Sequence, residues 1–504
     1  MDIKFFELDG KFSGVKVFPV NTDLALGEIL QTLDDTYEGV IANAIKNADF
    51  KGKNGESISI LGGIGDIKRI ILLGIGKSDD EDGENTPLDS EKAINNLGGS
   101  IYSLLNRSKI SKARIYIENS IGGFSPDFVA ANLAYGALLK SYKYDDYKEK
   151  PKASDKQHLL HLNVATSPKD NAVNRFDDLS NVAEGVFFAR NLVTDPPNHL
   201  YPESYAEECK IQLRPLGVKV EVLGEKEMKK LGMGAILSVG QGSEKETKLV
   251  VMQYNGAKKS DQPIAFVGKG VTFDTGGISL KPGANMGDMK YDMAGSAAVA
   301  GTIYALAARG AKVNAIGVIG LAENMPGSKA ARPSDIVTSM SGQSIEILNT
   351  DAEGRMVLAD ALWYTQDRFK PKFMINLATL TGAMVIALGL HRSGIFSNDD
   401  ELAENLYKSG ETVNERVWRF PLGPEYDKQM DSQIADMQNI SNMKGAGSIT
   451  AAQFLQRFVN DTPWVHIDIA GTAWEEKGTA ITPKGASGFG VRLLDRIVSD
   501  YYES

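Results

Sequence analysis

Short β-rich runs alternate with longer amphipathic stretches along the first third of the chain. The runs of strand length cover residues 14–20, 57–62, 68–76 and 113–117. The stretches with helical periodicity cover residues 26–48, 90–108 and 126–140. Strands that alternate with helices predict a small α/β unit, built on a mostly parallel sheet whose faces are covered.

Two polar segments lie within or beside this unit. Residues 78–85 are acidic and lack apolar side chains, which predicts a solvated loop. Residues 141–157 are rich in Lys and Asp and contain a proline, so we interpret them as a hairpin or loop at the edge of the unit.

A predicted strand at residues 159–165 and a long predicted helix at residues 171–192 mark the end of the first unit. The helix must end before Pro196 and Pro197 because proline cannot continue it. We therefore place the domain boundary at residue 170. The prediction is a smaller N-terminal α/β domain of residues 1–170 and a larger C-terminal domain of residues 171–504.

The remaining two-thirds of the chain shows the same alternation. Predicted strands cover residues 218–223, 248–254, 263–268, 312–319, 344–348, 373–377 and 464–469. Predicted helices cover residues 225–231, 292–309, 356–368, 400–409 and 449–459. This pattern predicts a doubly wound mixed sheet, in which functional sites gather at the carboxyl ends of the strands.

Composition and charge exclude several classes of protein. The 504 residues include 55 Lys and Arg against 65 Asp and Glu, and the net charge of −10 disfavours nucleic-acid binding without excluding it. No apolar run reaches about 18 residues, so we expect no membrane span. Charged residues interrupt the start of the chain, so we expect no secretory signal. The single cysteine, Cys209, excludes an internal disulfide, and we expect a cytoplasmic protein.

A first chemical motif follows the predicted strand at residues 263–268. Here Lys269, Asp274 and Lys281 lie in a segment that we predict to be a Gly-rich loop. Asp292 then opens the predicted helix, where a carboxylate suits the positive end of the helix dipole.

A second motif follows the predicted strand at residues 344–348. If the chain stays extended there, Asp351, Glu353 and Arg355 share one face, because side chains two residues apart point the same way. Two anions and a cation would then meet at the carboxyl end of a strand.

Four carboxylates and two lysines in one place predict a dinuclear metal site. Clustered carboxylates repel one another, and one or two divalent cations remove the repulsion and can activate a shared water. None of the five histidines lies in either motif, so the ligands are mainly oxygens, which suits Mn²⁺ or Mg²⁺ and also admits Zn²⁺.

Each residue also has a plainer interpretation. The glycines can form an ordinary turn, Asp292 can be a helix cap, and Asp351 with Glu353 can form an exposed turn. Lys269 has two possible roles. It is either a neutral metal ligand, at a deprotonation cost of roughly 4–5 kcal/mol at pH 7, or a charged partner of the carboxylates.

The two motifs, residues 269–282 and 349–356, resemble the signatures of the cytosolic leucine aminopeptidases, a metallopeptidase family that includes the bacterial aminopeptidase A type. Residues 191–198, 377–384, 445–455 and 466–474 extend the resemblance, which covers about residues 170–504. The resemblance implies an enzyme that removes the N-terminal residue of a peptide, with a preference for Leu and other apolar side chains. Catalysis would take place in the C-terminal domain of a homohexamer, through a water activated by two metal ions, Mn²⁺ or Zn²⁺.

The resemblance also implies residue roles. The metal ligands would be Lys269, Asp274, Asp292, Asp351 and Glu353. The catalytic side chains would be Lys281, which stabilises the oxyanion, and Arg355, which holds a bicarbonate ion that shuttles a proton. Candidate walls of an apolar substrate pocket are Met289, Thr379, Gly382 and Ala470.

The same residues admit three alternative interpretations. A two-metal phosphoesterase could use the same carboxylates, with Lys281 and Arg355 clamping the phosphate. A DNA-binding role alongside the peptidase is known for some bacterial members of the family, but the negative net charge disfavours it. A Rossmann nucleotide-binding protein would need a complete Gly-x-Gly-x-x-Gly after a strand, with an acidic residue downstream, and the sequence has no such arrangement.

Overall fold

A computed structural model describes residues 1–64, 67–76, 88–150, 152 and 156–503. The chain divides into two compact units. The first comprises Met1–Ala183 and Lys477–Pro483, and the second comprises Glu184–Glu476 and Lys484–Ser504. That the chain folds as two independent domains with a boundary at residue 170 stays a prediction. The predicted acidic loop at residues 78–85 lies outside the described residues, as do residues 151 and 153–155 of the polar segment.

The first unit is built on one mostly parallel sheet, as predicted. Its described strands are β1 (Asp2–Phe6), β2 (Val15–Val20), β3 (Ser57–Ile64), β4 (Ile67–Gly74), β5 (Lys112–Ile117) and β6 (His161–Thr166). They are ordered β1–β6–β5–β2–β4–β3, and only β3 runs antiparallel to its neighbour among these described strands. The predicted strands do not include β1, which is a half-exposed edge strand with no fully buried residue.

The predicted single helix at residues 26–48 is wrong. The described helices of this unit are α1 (Glu28–Thr36), α2 (Val40–Asn47), α3 (Glu91–Arg107) and α4 (Pro126–Lys140), followed by α5 (Lys169–Thr194), which continues into the second unit. Glu38 and Gly39 separate α1 from α2 with φ angles of 56° and 78°. A left-handed backbone at two successive residues ends a helix, and glycine adopts it at little cost.

The strands of the second unit form a large mixed sheet and two small ones. They are β7 (Lys219–Leu223), β8 (Lys248–Asn255), β9 (Ile264–Asp274), β10 (Asn314–Asn324), β11 (Ile336–Thr338), β12 (Ser344–Glu346), β13 (Met374–Ala378), β14 (Ser393–Ser397), β15 (Val417–Arg419), β16 (Met437–Gln438), β17 (Trp464–Asp468), β18 (Trp474–Glu475) and β19 (Gly485–Ala486). Eight of these described strands are ordered β15–β14–β17–β13–β9–β10–β8–β7, and the central four are parallel. The predicted two-domain α/β fold with a mixed sheet is confirmed.

Helices surround this sheet. They are α6 (Pro202–Leu213), α7 (Glu225–Lys230), α8 (Gly234–Gly240), α9 (Ala294–Ala308), α10 (Glu353–Phe369), α11 (Gly382–Leu388), α12 (Asp400–Val413), α13 (Pro424–Asp427), α14 (Gly447–Gln456) and α15 (Val491–Tyr501). The helices α9 and α10 are buried along most of their length and pack against β9 and β10. Among the described residues, no helix combines the length and the apolar content that a membrane span requires.

The strand β9 is longer than predicted, and this changes the setting of Lys269. The predicted strand ends at Gly268 and leaves Lys269 in a loop, but β9 continues to Asp274. A Cβ on Gly268 would lie 2.5 Å from Ser296 Cα, and one on Gly270 would lie 2.4 Å from Leu321 Cδ2. These glycines therefore allow close packing inside the core, and they do not form a turn.

The segment between β12 and α10 is not extended, so the predicted shared face of Asp351, Glu353 and Arg355 is wrong. The strand β12 ends at Glu346 and belongs to a small sheet with β11 and β16. The backbone N–H of Asp351 donates to Asn349 Oδ1 over 2.8 Å, which closes a turn, and α10 begins at Glu353. The acidic Glu353 in the first turn also favours a helix start here.

Asp360 of α10 is a fully buried carboxylate that connects three segments. It accepts hydrogen bonds from the backbone N–H of Ile236 over 2.9 Å and of Met340 over 2.8 Å. Burial raises the pKa of Asp360 to about 7, although the hydrogen bonds from the backbone oppose the shift. Between about pH 4 and pH 7 the folded chain thus keeps a proton that the unfolded chain releases.

The substitution Asp360→Asn should remove a pH dependence of stability. Because unfolding releases this proton, a rise in pH between about 4 and 7 favours the unfolded chain, so the stabilisation from Asp360 falls. We expect the stability of the wild type relative to the variant to fall by up to about 1.4 kcal/mol per pH unit in this interval. Thermal unfolding of both proteins from pH 4.5 to pH 8 measures the difference, since other groups titrate in both. Parallel curves would contradict the prediction.

Candidate active site

The carboxyl ends of four adjacent parallel strands bring polar side chains to one edge of the large sheet. Asp274 ends β9, and Asn324 ends β10 directly beside it in the strand register. Thr379 follows β13, and Asp468 ends β17. Parallel neighbouring strands all end at the same edge, so these four residues surround one region.

Lys269 lies at the centre of this region and is 2 % exposed. Its Nζ lies 2.7 Å from Asp292 Oδ2 and 2.9 Å from Glu353 Oε1, and it donates to the carbonyl of Thr379 over 3.0 Å. Burial alone would lower the pKa of Lys269, but the surrounding carboxylates raise it above its ordinary value. The carboxylates by themselves therefore favour the charged form of Lys269.

Lys281 makes a second group of ion pairs beside the first. Its Nζ lies 2.9 Å from Asp274 Oδ2 and also pairs with Asp351. Burial would lower the pKa of Lys281, but Asp274 and Asp351 raise it. The other oxygen of Asp274 accepts hydrogen bonds from Gly276 N–H over 2.9 Å and from Asn324 Nδ2 over 2.8 Å, which fix the carboxylate in place.

The donor set fits divalent cations. Asp274, Asp351 and Glu353 each offer a carboxylate oxygen, and these oxygens all lie within 4.8 Å of one another. Together with Asp292, the cluster has four carboxylates and only two ammonium groups. Burial is the main cause that raises the pKa values of Asp292 and Glu353, and repulsion from Asp274 raises them further. Glu353 Oε2 is buried without a hydrogen-bond partner. Bound cations would neutralise the excess buried negative charge and would coordinate the unpartnered carboxylate oxygen.

Arg355 presents a buried guanidinium near this cluster. It donates from Nη1 to the carbonyl of Asn439 over 2.8 Å, and its Nε is buried without a hydrogen-bond partner. Burial lowers the pKa of Arg355 to about 10, with Glu353 and Asp468 opposing the shift, so the group stays charged at neutral pH. A buried cation with an unpartnered N–H group fits a small anion.

Comparison with known proteins assigns the chain to a family. The sequence profile of the cytosol aminopeptidase family, catalytic domain, matches residues 187–495, and that of the N-terminal domain of the same family matches residues 16–151. The chain belongs to the cytosol aminopeptidase family. The resemblance found from the two motifs is thereby confirmed, and the protein is an enzyme of the metal-dependent aminopeptidase class.

Relatives and solved structures agree with this assignment. The chain is 56 % identical over 469 residues to a probable cytosol aminopeptidase of Wolbachia pipientis wMel, covering 92 % of this chain and 90 % of the relative. It is 52 % identical over 506 residues to one of Ehrlichia ruminantium (strain Welgevonden), covering 98 % of each. A point mutant of tomato leucine aminopeptidase superposes with a TM-score of 0.83 at 31 % identity, covering 99 % of this chain and 96 % of the tomato chain. The bottromycin maturation enzyme BotP, solved in complex with Mn, gives 0.81 at 30 % identity, covering 96 % and 98 %.

The four predicted pocket residues of this cytosol aminopeptidase lie on segments next to the cluster. Thr379 contacts it directly, because its Oγ1 donates to Asp292 Oδ1 over 2.7 Å. Gly382 begins α11, and Ala470 follows β17. Met289 is half-buried in the 3₁₀ helix Met286–Tyr291, just before Asp292. Their role as walls of a substrate pocket stays a prediction.

Three supporting residues of this aminopeptidase are not among the predicted site residues. Asn324 holds Asp274, and Asn439 accepts from Arg355. Asp468 accepts hydrogen bonds from Leu380 N–H, Thr381 Oγ1 and Ala470 N–H, which ties two of the pocket segments together. Asn324 and Asp468 could have been found as polar residues at the ends of apolar strands, whereas no comparable signal marks Asn439.

Proposed function

We propose that this protein removes the N-terminal residue of peptides, preferring Leu and other apolar side chains, by two-metal hydrolysis. One observation carries the proposal. Five side chains that the family resemblance assigns to metal binding, Lys269, Asp274, Asp292, Asp351 and Glu353, converge at one sheet edge, where Glu353 Oε2 has no hydrogen-bond partner.

These five residues would hold two cations, with Asp274 and Glu353 shared between them. Lys269 and Asp292 would complete one site, and Asp351 would complete the other. Two divalent cations bound there would polarise the scissile carbonyl and make a shared water nucleophilic. The ligands are mainly carboxylate oxygens, which suits Mn²⁺ or Mg²⁺ and also admits Zn²⁺, and the family resemblance favours Mn²⁺ or Zn²⁺. Lys269 would have to release its proton to bind, and the cations would neutralise the carboxylates that now hold this proton.

Lys281 and Arg355 are the proposed catalytic side chains. Lys281 keeps its charge in this site and borders Asp274 and Asp351, so it is placed to stabilise the oxyanion of the attacked carbonyl. Arg355 cannot act as a base, because its guanidinium stays protonated. We propose that its unpartnered N–H group binds bicarbonate, which would supply a proton-accepting group there.

Selectivity for the N-terminal side chain should be broad. An apolar pocket bordered by Met289, Thr379, Gly382 and Ala470 would distinguish Leu from smaller side chains by only about 1–3 kcal/mol. We further propose that the subunits form the homohexamer implied by the family, with an oligomeric or regulatory role for the N-terminal domain, and that the enzyme acts on peptides in the cytoplasm. Sedimentation of the purified protein would test the hexamer.

The other functions are less well supported. A two-metal phosphoesterase would use the same carboxylates, but the family assignment favours peptide hydrolysis. A DNA-binding role alongside the peptidase has no specific observation in its favour, and the net charge of −10 opposes it. A gel shift at several salt concentrations tests that role directly.

Removing and restoring the metal ions tests the proposed function. After dialysis against a chelator, the protein should lose hydrolysis of a leucyl anilide, and adding Mn²⁺ or Zn²⁺ should restore it, because the carboxylates need cations to organise the reaction. An alanyl anilide should be cleaved more slowly, and a phosphate ester should stay intact. Full activity in the chelated protein, or phosphate release with no anilide cleavage, would contradict the proposal.

A further inference from the structure

Asn439 is a fully buried residue that contacts the second chemical motif at two of its residues, Asn349 and Arg355. It follows β16, which runs parallel to β12, and its backbone N–H continues the pairing by donating to the carbonyl of Glu346 over 2.9 Å. This pairing places the Asn439 side chain next to the chain that leaves β12 and leads to Asp351.

The Asn439 side chain makes three hydrogen bonds with the backbone of two consecutive residues. Its Oδ1 accepts from Leu348 N–H over 2.8 Å and from Asn349 N–H over 3.3 Å, and its Nδ2 donates to the carbonyl of Asn349 over 2.7 Å. Both N–H groups need an acceptor and the carbonyl needs a donor. Aspartate has no donor when ionised, and a hydroxyl offers one atom where two are needed, so asparagine fits this position.

The Asn439 backbone also holds Arg355. The carbonyl of Asn439 accepts the hydrogen bond from Arg355 Nη1 over 2.8 Å. One residue therefore fixes the backbone that leads into the turn before Asp351 and also orients the buried guanidinium. A shift of Asn439 would move both groups together.

We propose that Asn439 is a positioning residue for catalysis. It fixes the position of the Arg355 guanidinium relative to the turn that precedes Asp351. The inference rests on the proposed peptidase function. It predicts that loss of the side chain lowers the rate of the chemical step much more than it weakens substrate binding, since Asn439 contacts groups of the site and leaves the pocket segments untouched.

The variant Asn439→Ala should lose turnover at saturating Mn²⁺. We expect kcat for a leucyl anilide to fall roughly 10- to 100-fold, as for other residues that orient metal-site groups. We expect KM to change by less than about threefold. If Asn439→Ala does not fold, Asn439→Asp serves instead, because it keeps the acceptor oxygen and replaces the N–H donor to Asn349 by a second, negatively charged acceptor. The same loss of kcat is expected from it.

Asn314 provides a matched control. It is also buried, and its side chain also bonds only backbone groups, accepting from Ala257 N–H over 3.2 Å and donating to the carbonyl of Lys258 over 2.6 Å. The variant Asn314→Ala should lose a similar amount of thermal stability but keep kcat within about twofold of the wild type. An equal loss of kcat in both variants would show a general effect of destabilisation and overturn the proposal.

Hydrogen–deuterium exchange gives a readout that does not depend on activity. In protein without added metal, the peptide that contains Leu348 and Asn349 should exchange faster in Asn439→Ala than in the wild type, and Asn314→Ala should leave it unchanged. Unchanged exchange, or kcat within about twofold of an active wild type, would overturn the positioning role. A wild type without anilide hydrolysis under any metal would instead overturn the proposed function.

Discussion

The variant Glu353→Gln is expected to lose both metal binding and turnover. Glu353 is 4 % exposed, lies 2.9 Å from Lys269 Nζ through Oε1, and has a buried Oε2 without a hydrogen-bond partner. Glutamine has the same shape but lacks the negative charge, and its amide group would direct N–H donors towards the bound cations. The loss should exceed the 10- to 100-fold typical when a group that only orients a metal ligand is removed. Titration with Mn²⁺ and the leucyl anilide assay measure the two effects.

Glu415→Gln is the matched control for this prediction. Glu415 is also 4 % exposed. It accepts hydrogen bonds from Gly490 N–H over 2.9 Å and Leu493 N–H over 3.0 Å, at the start of α15. This variant should unfold at a lower temperature and still bind two equivalents of Mn²⁺. A Glu353→Gln protein that binds two equivalents with the affinity of the wild type would remove Glu353 from the set of proposed ligands.

The sequence could predict that the residues of the candidate site come together, because several of them lie at the ends of strands. Asp274 comes at the end of an apolar run, and parallel strands end at a common edge. The same rule would have added Asn324 and Asp468, which also end apolar strands. Local patterns therefore indicated both the architecture and the edge of the sheet at which polar groups meet.

The local conformations that depend on distant contacts could not be predicted in this way. Gly268 and Gly270 have the sequence appearance of a turn, but they continue a strand because α9 and β10 pack too closely for a side chain. Likewise, residues 349–352 form a turn that Asn439 holds from another part of the chain. Pattern analysis compares neighbours in sequence, whereas these contacts join residues about 30 to 90 positions apart, so packing overrides the local preference.

The variant Lys281→Ala is expected to keep its metal ions and lose most of its turnover. Lys281 contributes a positive charge next to Asp274 and Asp351, so its removal makes the cluster more negative and should, if anything, strengthen cation binding. The oxyanion of the reaction would lose its stabilising ammonium group. Such a loss typically lowers kcat by about 10²- to 10³-fold, and here kcat and kcat/KM should fall together.

Lys248→Ala separates this effect from the loss of an ordinary ion pair. Lys248 is a lysine of β8 whose side chain is 13 % exposed, and its Nζ lies 2.5 Å from Glu246 Oε2, which is not one of the four carboxylates of the cluster. The variant Lys248→Ala should retain both kcat and the affinity for Mn²⁺, whereas Lys281→Ala should retain only the affinity for Mn²⁺. Normal turnover in Lys281→Ala would exclude Lys281 from the chemical step. Loss of Mn²⁺ binding would instead mean that Lys281 organises the carboxylates, because an ammonium group cannot itself attract the cations that it repels.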